Sequence, residues 1–165
     1  MNYDQCPAST RTEIYEFYKY APNAEQLLNK AILAVGIAGR CQGNELIQIL
    51  TIDLKVYDTK AYIRIQKDMK QQQYKITGSA LTIVKRYVRA RQHLNHPQLF
   101  VIQRNEIFHN EPIVLAMIDM ACQAAARFLA LPEAFKYDRM CLLKTAEFIA
   151  DEVEYVEDKK MYHNR

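Results

Sequence analysis

The stretch AILAVGIAGRCQGNELIQILTIDL, residues 31–54, contains the pattern that decides the fold. It opens with an apolar run from Ala31 to Ala38 that completes a largely buried helix beginning near Asn23. Gly36 and Gly39 lie near the end of this helix, where the C-cap geometry favours glycine. The rest of the stretch predicts a short helix from Asn44 to Leu50 and then the start of a strand. This change from helix-forming to strand-forming sequence predicts a mixed α+β domain that is mostly helical.

Helix and strand signals continue on both sides of this stretch. Upstream, the residues from Thr10 to Glu13 have the spacing of a capping box and predict a helix that continues to Tyr20. Downstream, three β-branched and aromatic runs predict a small three-stranded antiparallel sheet: Leu54–Tyr57, Ala61–Ile65 and Gln73–Ile76. Three further helices are predicted after the sheet: Ser79 or Thr82 to His93, Pro112 to Leu131, and Arg139 to Glu157.

Length and composition set limits on the class of protein. A chain of 165 residues with 50% hydrophobic and 25% charged residues predicts one soluble domain, with residues 1–11 as an N-terminal tail and residues 12–165 as the domain. No apolar run reaches the roughly 20 residues that a membrane span needs. The four cysteines lie far apart in the sequence with no Cys-x-x-Cys pair, and His93 and His96 have no neighbouring ligand. We therefore expect no metal, no other cofactor and no small-molecule substrate.

The net charge of +3 hides two regions of opposite sign. Ten basic residues face two acidic ones between Lys55 and Arg91, a balance of +8, whereas seven acidic residues face two basic ones between Asp138 and Asp158, a balance of −5. A basic block of this kind is typical of a surface that binds polyanions, or of a patch that an acidic helix covers. The candidate nucleic-acid-binding residues are Lys67, Lys70, Lys75, Lys85, Arg86, Arg89 and Arg91.

The motifs resemble those of one protein family in order and spacing. Residues 31–54, the pattern Gly-Ile-x-Gly-x-Cys from Gly36 to Cys41, the strand end Lys75–Gly78, and FLALPEAFKYDRMCLLKTAEFIADE near the C-terminus are similar to the catalytic domain of tyrosine recombinases of the phage-integrase type. The eukaryotic, Crypton-like, transposon-derived and domesticated members resemble the chain most. The resemblance extends from Thr12 to Asp151, and it implies the fold of that catalytic domain.

The resemblance also implies that the chemistry is lost. Recombinase catalysis uses two arginines, a lysine, a histidine and a nucleophilic tyrosine around one phosphate. The first arginine position falls on Gln42, and the His-x-x-Arg signature falls on the residues from Met140 to Leu143. Lys67 occupies the strand-lysine position, with Lys70 as the other register, and His163 is spaced as a further family histidine. The chain ends at Arg165, before the position of the tyrosine, so we expect no enzymatic activity and a domain that lacks the family's C-terminal end.

Two functional expectations follow. The first is a non-catalytic domain that binds DNA or chromatin through the basic block. We expect an intracellular, soluble protein, and the resemblance implies that its location is nuclear. The second is a protein-binding adaptor or homodimerisation scaffold, with an aromatic cluster in the first helix as the partner surface. The residues of that cluster are Tyr15, Phe17, Tyr18 and Tyr20. Neither expectation involves a membrane.

Overall fold

The computed structural model describes residues 6–149. Six α-helices, five strands and two short 3-10 turns are defined within this range. The helices are α1 (Arg11–Tyr20), α2 (Asn23–Ala38), α3 (Gly43–Ile47), α4 (Gly78–Arg91), α5 (Leu115–Phe128) and α6 (139–149). The strands are β1 (Leu54–Val56), β2 (Ala61–Lys67), β3 (Lys70–Ile76), β4 (Val101–Arg104) and β5 (Ile107–Pro112).

Helix α2 forms the centre of the core. Its residues are buried almost without interruption from Leu27 to Gly36, because α4, α5 and strand β4 all pack against it. A helix that is apolar around its whole circumference is stable only in such surroundings. The apolar run that opens the deciding stretch is therefore the central element of the domain.

Strands β1, β2 and β3 form an antiparallel sheet in that order, as the sequence predicts. The residues of β2 alternate between buried and more exposed positions, with Ile63 and Ile65 fully buried. Strands β2 and β3 pair from Ala61 and Ile76 up to Lys67 and Lys70, so the hairpin is longer than its apolar pattern indicates. This register places Lys67 opposite Lys70 at the tip.

The helix boundaries agree with the predictions at most points. The capping box of α1 is present, with Thr10 N donating to Glu13 Oε1 at 2.9 Å and Glu13 N donating to Thr10 Oγ1 at 3.2 Å. Helix α5 begins three residues after Pro112, because Pro112 ends strand β5. The predicted last helix is confirmed for residues 139–149, and its remainder lies outside the described residues.

Two features differ from the sequence predictions. Strands β4 and β5 form a second, two-stranded sheet that the sequence analysis does not include. The N-terminal tail predicted for residues 1–11 is corrected from Cys6 onward, because Cys6 is 2% exposed and Ser9 is 7% exposed. Ser9 N donates to Thr145 Oγ1 at 2.9 Å, which fixes this segment against α6. No helix within residues 6–149 is long and apolar enough to span a membrane.

Candidate functional site

Gln42 lies more than 90 residues before Met140 and Leu143 in the sequence. All three residues nevertheless line one open groove of about 370 Å³. Gln42 precedes α3, and the other two residues lie on α6. The remaining lining residues are Gly43, Asn44, Leu115 and Arg139. The structure therefore brings together all three positions that the resemblance identifies as replaced catalytic residues.

Gly43 determines how closely the walls of this groove approach each other. A Cβ atom at this position would lie 2.7 Å from Arg139 Cδ and 3.2 Å from Leu115 Cδ2. Real Cβ atoms do not approach other atoms at the shorter distance, so any side chain here would displace Arg139. The absence of a side chain at Gly43 lets α3 pack directly against the starts of α5 and α6.

Arg139 is the one charged residue in the described lining of the groove, and an acidic residue pairs with it. Its Nη1 lies 3.6 Å from Asp119 Oδ2, and its backbone N donates to Asp119 Oδ1 at 2.9 Å. Sequence reasoning missed this pair. The two residues lie on different helices, and the motif comparison considers Met140 to Leu143 but not the preceding Arg139. The carboxylate of Asp119 thus offsets the positive charge of Arg139.

Lys67, the retained lysine, is also paired. Its Nζ lies 3.1 Å from Glu45 Oε1 and donates to Arg40 O at 2.6 Å. Glu45 Oε1 in turn accepts from Gln42 N at 2.7 Å, so the lysine is connected to the start of α3. Burial raises the pKa of the neighbouring Cys41 thiol to about 12, which keeps that sulfur protonated and poorly nucleophilic at neutral pH.

The predicted nucleic-acid-binding set divides by exposure. Arg91 is 4% exposed, and its guanidinium donates to backbone carbonyl oxygens of Leu94, His96, Gln98 and Leu99. The prediction that Arg91 contacts phosphate is therefore wrong, because this side chain holds the loop after α4 in place. Lys85 is half-buried and donates to Asp58 O. Lys70, Lys75, Arg86 and Arg89 are exposed.

Helix α4 presents basic side chains on one face. Thr82, Arg86 and Arg89 are exposed at helical spacing, and half-buried Lys85 lies at the edge of the same face. The helix sequence GSALTIVKRYVRAR contains no Asp or Glu, so no carboxylate on α4 opposes these cations. Lys70 and Lys75 lie on the β2–β3 hairpin instead. We call Arg86, Arg89 and Lys85 the α4 face.

The aromatic cluster of α1 is not a surface patch. Phe17 is fully buried and Tyr18 is 7% exposed, and burial raises the pKa of the Tyr18 phenol. The prediction of a four-residue partner surface is therefore wrong for these two side chains, which belong to the core. Tyr15 and Tyr20 are exposed, at 41% and 64%. His163 lies outside the described residues.

Comparison with solved structures finds the tyrosine recombinase fold. The chain superimposes on XerH site-specific recombinase bound to difH substrate with a TM-score of 0.63 at 14% identity, and on XerA recombinase with 0.67 at 15% identity. A lambda integrase dimer bound to a COC' core site gives 0.51 at 14% identity. These superpositions cover 85–86% of this chain but 42%, 48% and 50% of the three recombinases, so the chain spans half of their length or less.

No protein-family model and no curated protein matches the sequence. The predicted fold class, an α+β domain resembling the tyrosine recombinase catalytic domain, is confirmed by the structural comparison. At these identities the likeness concerns the fold alone.

Proposed function

We propose that this chain is a catalytically inactive relative of the tyrosine recombinases that binds duplex DNA. The observation that carries the proposal is the contrast between two surfaces. The groove at the former catalytic positions contains Gln42, Met140 and Leu143, whereas the α4 face has two exposed arginines, Arg86 and Arg89. We also propose that the protein is transposon-derived, nuclear and associated with chromatin, because the motif resemblance implies these properties.

The loss of chemistry follows from the charges that phosphoryl transfer needs. Removing a single preorganised donor of this kind reduces the rate of an enzyme by about 100- to 1000-fold. Two such charges are replaced here, by Gln42 and Leu143. Arg139 and Lys67 do not compensate, since Asp119 and Glu45 already pair with them. A groove with these residues lacks the charges that cleavage of a phosphodiester needs.

The binding part of the proposal depends on the α4 face and the exposed hairpin lysines. Exposed Lys and Arg side chains attract the phosphate backbone without regard to sequence, and such contacts supply most of non-specific DNA affinity. Lambda integrase (residues 75–356) has been solved bound to DNA, and XerH bound to its difH substrate. We infer that the fold of this chain keeps a DNA-facing surface while its catalytic groove has changed.

A covalent-trapping experiment tests the proposal. The full chain is incubated with a pool of nicked, labelled, mixed-sequence duplexes, and the products are separated on native and on denaturing gels. We expect a complex on the native gel that weakens with salt and no DNA-protein adduct on the denaturing gel. An adduct that survives denaturation would show an active enzyme, and the absence of any complex at micromolar protein would refute DNA binding.

A second candidate function is that of a protein-binding or homodimerising scaffold, and the exposed apolar face of α5 favours it. Met120 is 58% exposed and Phe128 is 42% exposed, although both lie on the helix whose other side packs against α2. Light scattering tests this function. A wild-type dimer that becomes a monomer in Met120→Asp, in a protein that does not bind DNA, would favour this function over the first.

A further inference from the structure

Three potential metal ligands meet at the start of α6. Within residues 6–149, the Sγ atoms of Cys6 and Cys141 and a carboxylate oxygen of Asp138 lie within 4.8 Å of one another. Cys6 is 135 positions before Cys141 in the chain, so the sequence spacing gives no sign of this group. The expectation that the scattered cysteines form no site is therefore open to revision, because the fold brings two of them together.

The fold holds both parts of this cluster in place. Cys6 and Cys141 are 2% and 1% exposed, so the two sulfurs lie in the interior rather than on a mobile surface. Lys144 Nζ donates to Cys6 O at 2.9 Å, and the bond from Ser9 N to Thr145 Oγ1 lies a few residues further along both segments. The N-terminal segment is thus fixed to α6 at Cys6 and again at Ser9.

Asp138 is oriented by the helix that it caps. Its Oδ1 accepts from Met140 N at 3.0 Å and from Cys141 N at 3.2 Å, the arrangement of an N-cap residue. Cys141 Sγ lies 3.2 Å from Lys136 O. Two sulfurs and one carboxylate oxygen are a donor set that suits Zn²⁺, whereas calcium and magnesium prefer oxygen alone.

We propose that Cys6, Asp138 and Cys141 bind a zinc ion that fastens the N-terminal segment to α6, with water in the fourth coordination position. Tetrahedral zinc with sulfur ligands at about 2.3 Å places those sulfurs about 3.8 Å apart. The observed limit of 4.8 Å is close enough for small side-chain adjustments to close the site. Binding converts both thiols to thiolates, and their two protons pass to solvent.

The cluster supplies three ligands, so the proposed tetrahedral site takes its fourth ligand from water. Cys141 borders a small pocket of about 20 Å³, whose lining includes Ser9 and Tyr137 but neither Cys6 nor Asp138. A pocket of this volume has room for one water molecule beside Cys141. Two thiolates, one carboxylate and Zn²⁺ leave a single negative charge. The ammonium of Lys144, held at the Cys6 carbonyl oxygen, lies where it offsets that charge.

Zinc and cobalt titrations of the full chain test this proposal, with a phosphine reductant present to keep the thiols reduced. We expect one Zn²⁺ per chain, and Co²⁺ in its place gives thiolate-to-cobalt charge-transfer absorption and the strong visible bands of a tetrahedral site. Cys6→Ser or Cys141→Ser lowers the affinity by about 100-fold, and Asp138→Asn lowers it by about 10-fold. The Asn variant keeps the helix cap, so its fold is preserved.

Cys41→Ser is the matched control, because Cys41 is an equally buried cysteine outside the cluster. We expect it to bind zinc as the wild type does, and we expect zinc to raise the melting temperature of both proteins but not of Cys6→Ser. Three results would overturn the proposal. The first is that the reduced wild type binds no stoichiometric zinc. The second is that Cys41→Ser loses as much zinc affinity as Cys6→Ser. The third is that Cys6 and Cys141 form a disulfide in air and that its reduction restores no zinc affinity.

Discussion

Lys30 is a charged residue enclosed in the core, with 1% of its surface exposed. Its Nζ donates to Tyr18 O at 2.9 Å, to Ala21 O and to Asn23 Oδ1 at 2.7 Å, so it satisfies carbonyl groups at the end of α1. Burial, and then the charge of Arg86, lowers the pKa of this lysine. The side chain joins the end of α1 to the middle of α2.

We expect Lys30→Met to lower the free energy of unfolding by about 1–3 kcal/mol, because two backbone carbonyls lose their donor in a buried environment. Urea denaturation followed by circular dichroism measures this change. Lys19→Met is the control, since Lys19 is an exposed lysine of the neighbouring helix, and its effect should stay within about 0.5 kcal/mol. Equal effects of the two substitutions would contradict the role of Lys30.

Tyr87 is a second buried polar side chain, at 1% exposure. Its Oη donates to Leu99 O at 2.8 Å and accepts from Val101 N at 3.0 Å. Burial raises its pKa to about 12, whereas the phenol of an unfolded chain titrates near pH 10. The folded state therefore holds this proton more tightly, and the resulting stabilisation is complete below pH 10 and is lost as the pH rises towards 12.

We expect the wild-type free energy of unfolding to fall more steeply between pH 10 and pH 12 than that of Tyr87→Phe. The difference should be about 2–3 kcal/mol over this interval, since two pKa units correspond to that energy. At neutral pH the variant is about 1 kcal/mol less stable, because Val101 N loses its acceptor. Urea titrations at several alkaline pH values measure both effects, and parallel pH profiles would refute the assignment.

Individual site residues differ in how far the sequence predicts them. The motif resemblance selects Gln42, Met140 and Leu143, and these residues do line one groove. Composition alone does not separate Arg89, which is exposed, from Arg91, which is buried. Because the two residues are two positions apart, they lie about 200° apart around α4, so the sequence indicates that they are on different faces of the helix. The loop carbonyl groups that surround Arg91 are known only from the tertiary structure.

At the scale of elements, the close contact between α2 and α6 depends on Gly36. A Cβ atom on this residue would lie 2.8 Å from Leu142 Cδ2 and 3.4 Å from Leu46 Cδ1. Leu142 is 3% exposed, so it has little room to move away. The glycine therefore serves a close approach of two helices rather than a turn.

We expect Gly36→Ala to destabilise the domain by about 1–2 kcal/mol through overpacking. In a Leu142→Ala background the steric conflict is gone, and the same substitution should be neutral or stabilising by up to about 1 kcal/mol, since alanine favours the helix. A double-mutant cycle in urea isolates this coupling. An equal effect of Gly36→Ala in both backgrounds would show that the two helices do not meet at this point.

The elements with long periodic patterns are the ones that the sequence predicts well. Helix α2 has both bounds near their predicted positions, and the α1 capping box is confirmed. The β4–β5 sheet is missed because its strands are short and Pro112 favours a helix start, whereas it ends a strand here. A turn joins the two strands at Asn105, which has a left-handed φ of 55°.

For the whole molecule, the sequence predicts the balance of charges but not its arrangement. The window from Lys55 to Arg91 carries +8, yet Lys67 pairs with Glu45 and Arg91 is enclosed by carbonyl groups. Only folding decides which cations remain exposed to a polyanion. The α4 face and the hairpin lysines are what remains of the predicted basic surface, and the account of DNA binding depends on them.

The most direct test of this account is the salt dependence of DNA affinity, measured by fluorescence anisotropy for the wild type and for Arg86→Gln/Arg89→Gln. Each lost phosphate contact reduces the slope of log K against log salt by about 0.9, so the double variant should have a slope smaller by about 2 and a weaker affinity at every salt concentration. Lys19→Gln/Arg104→Gln removes the same charge from other exposed positions and should keep the wild-type slope. Equal slopes for the wild type and the α4 variant would contradict the central claim.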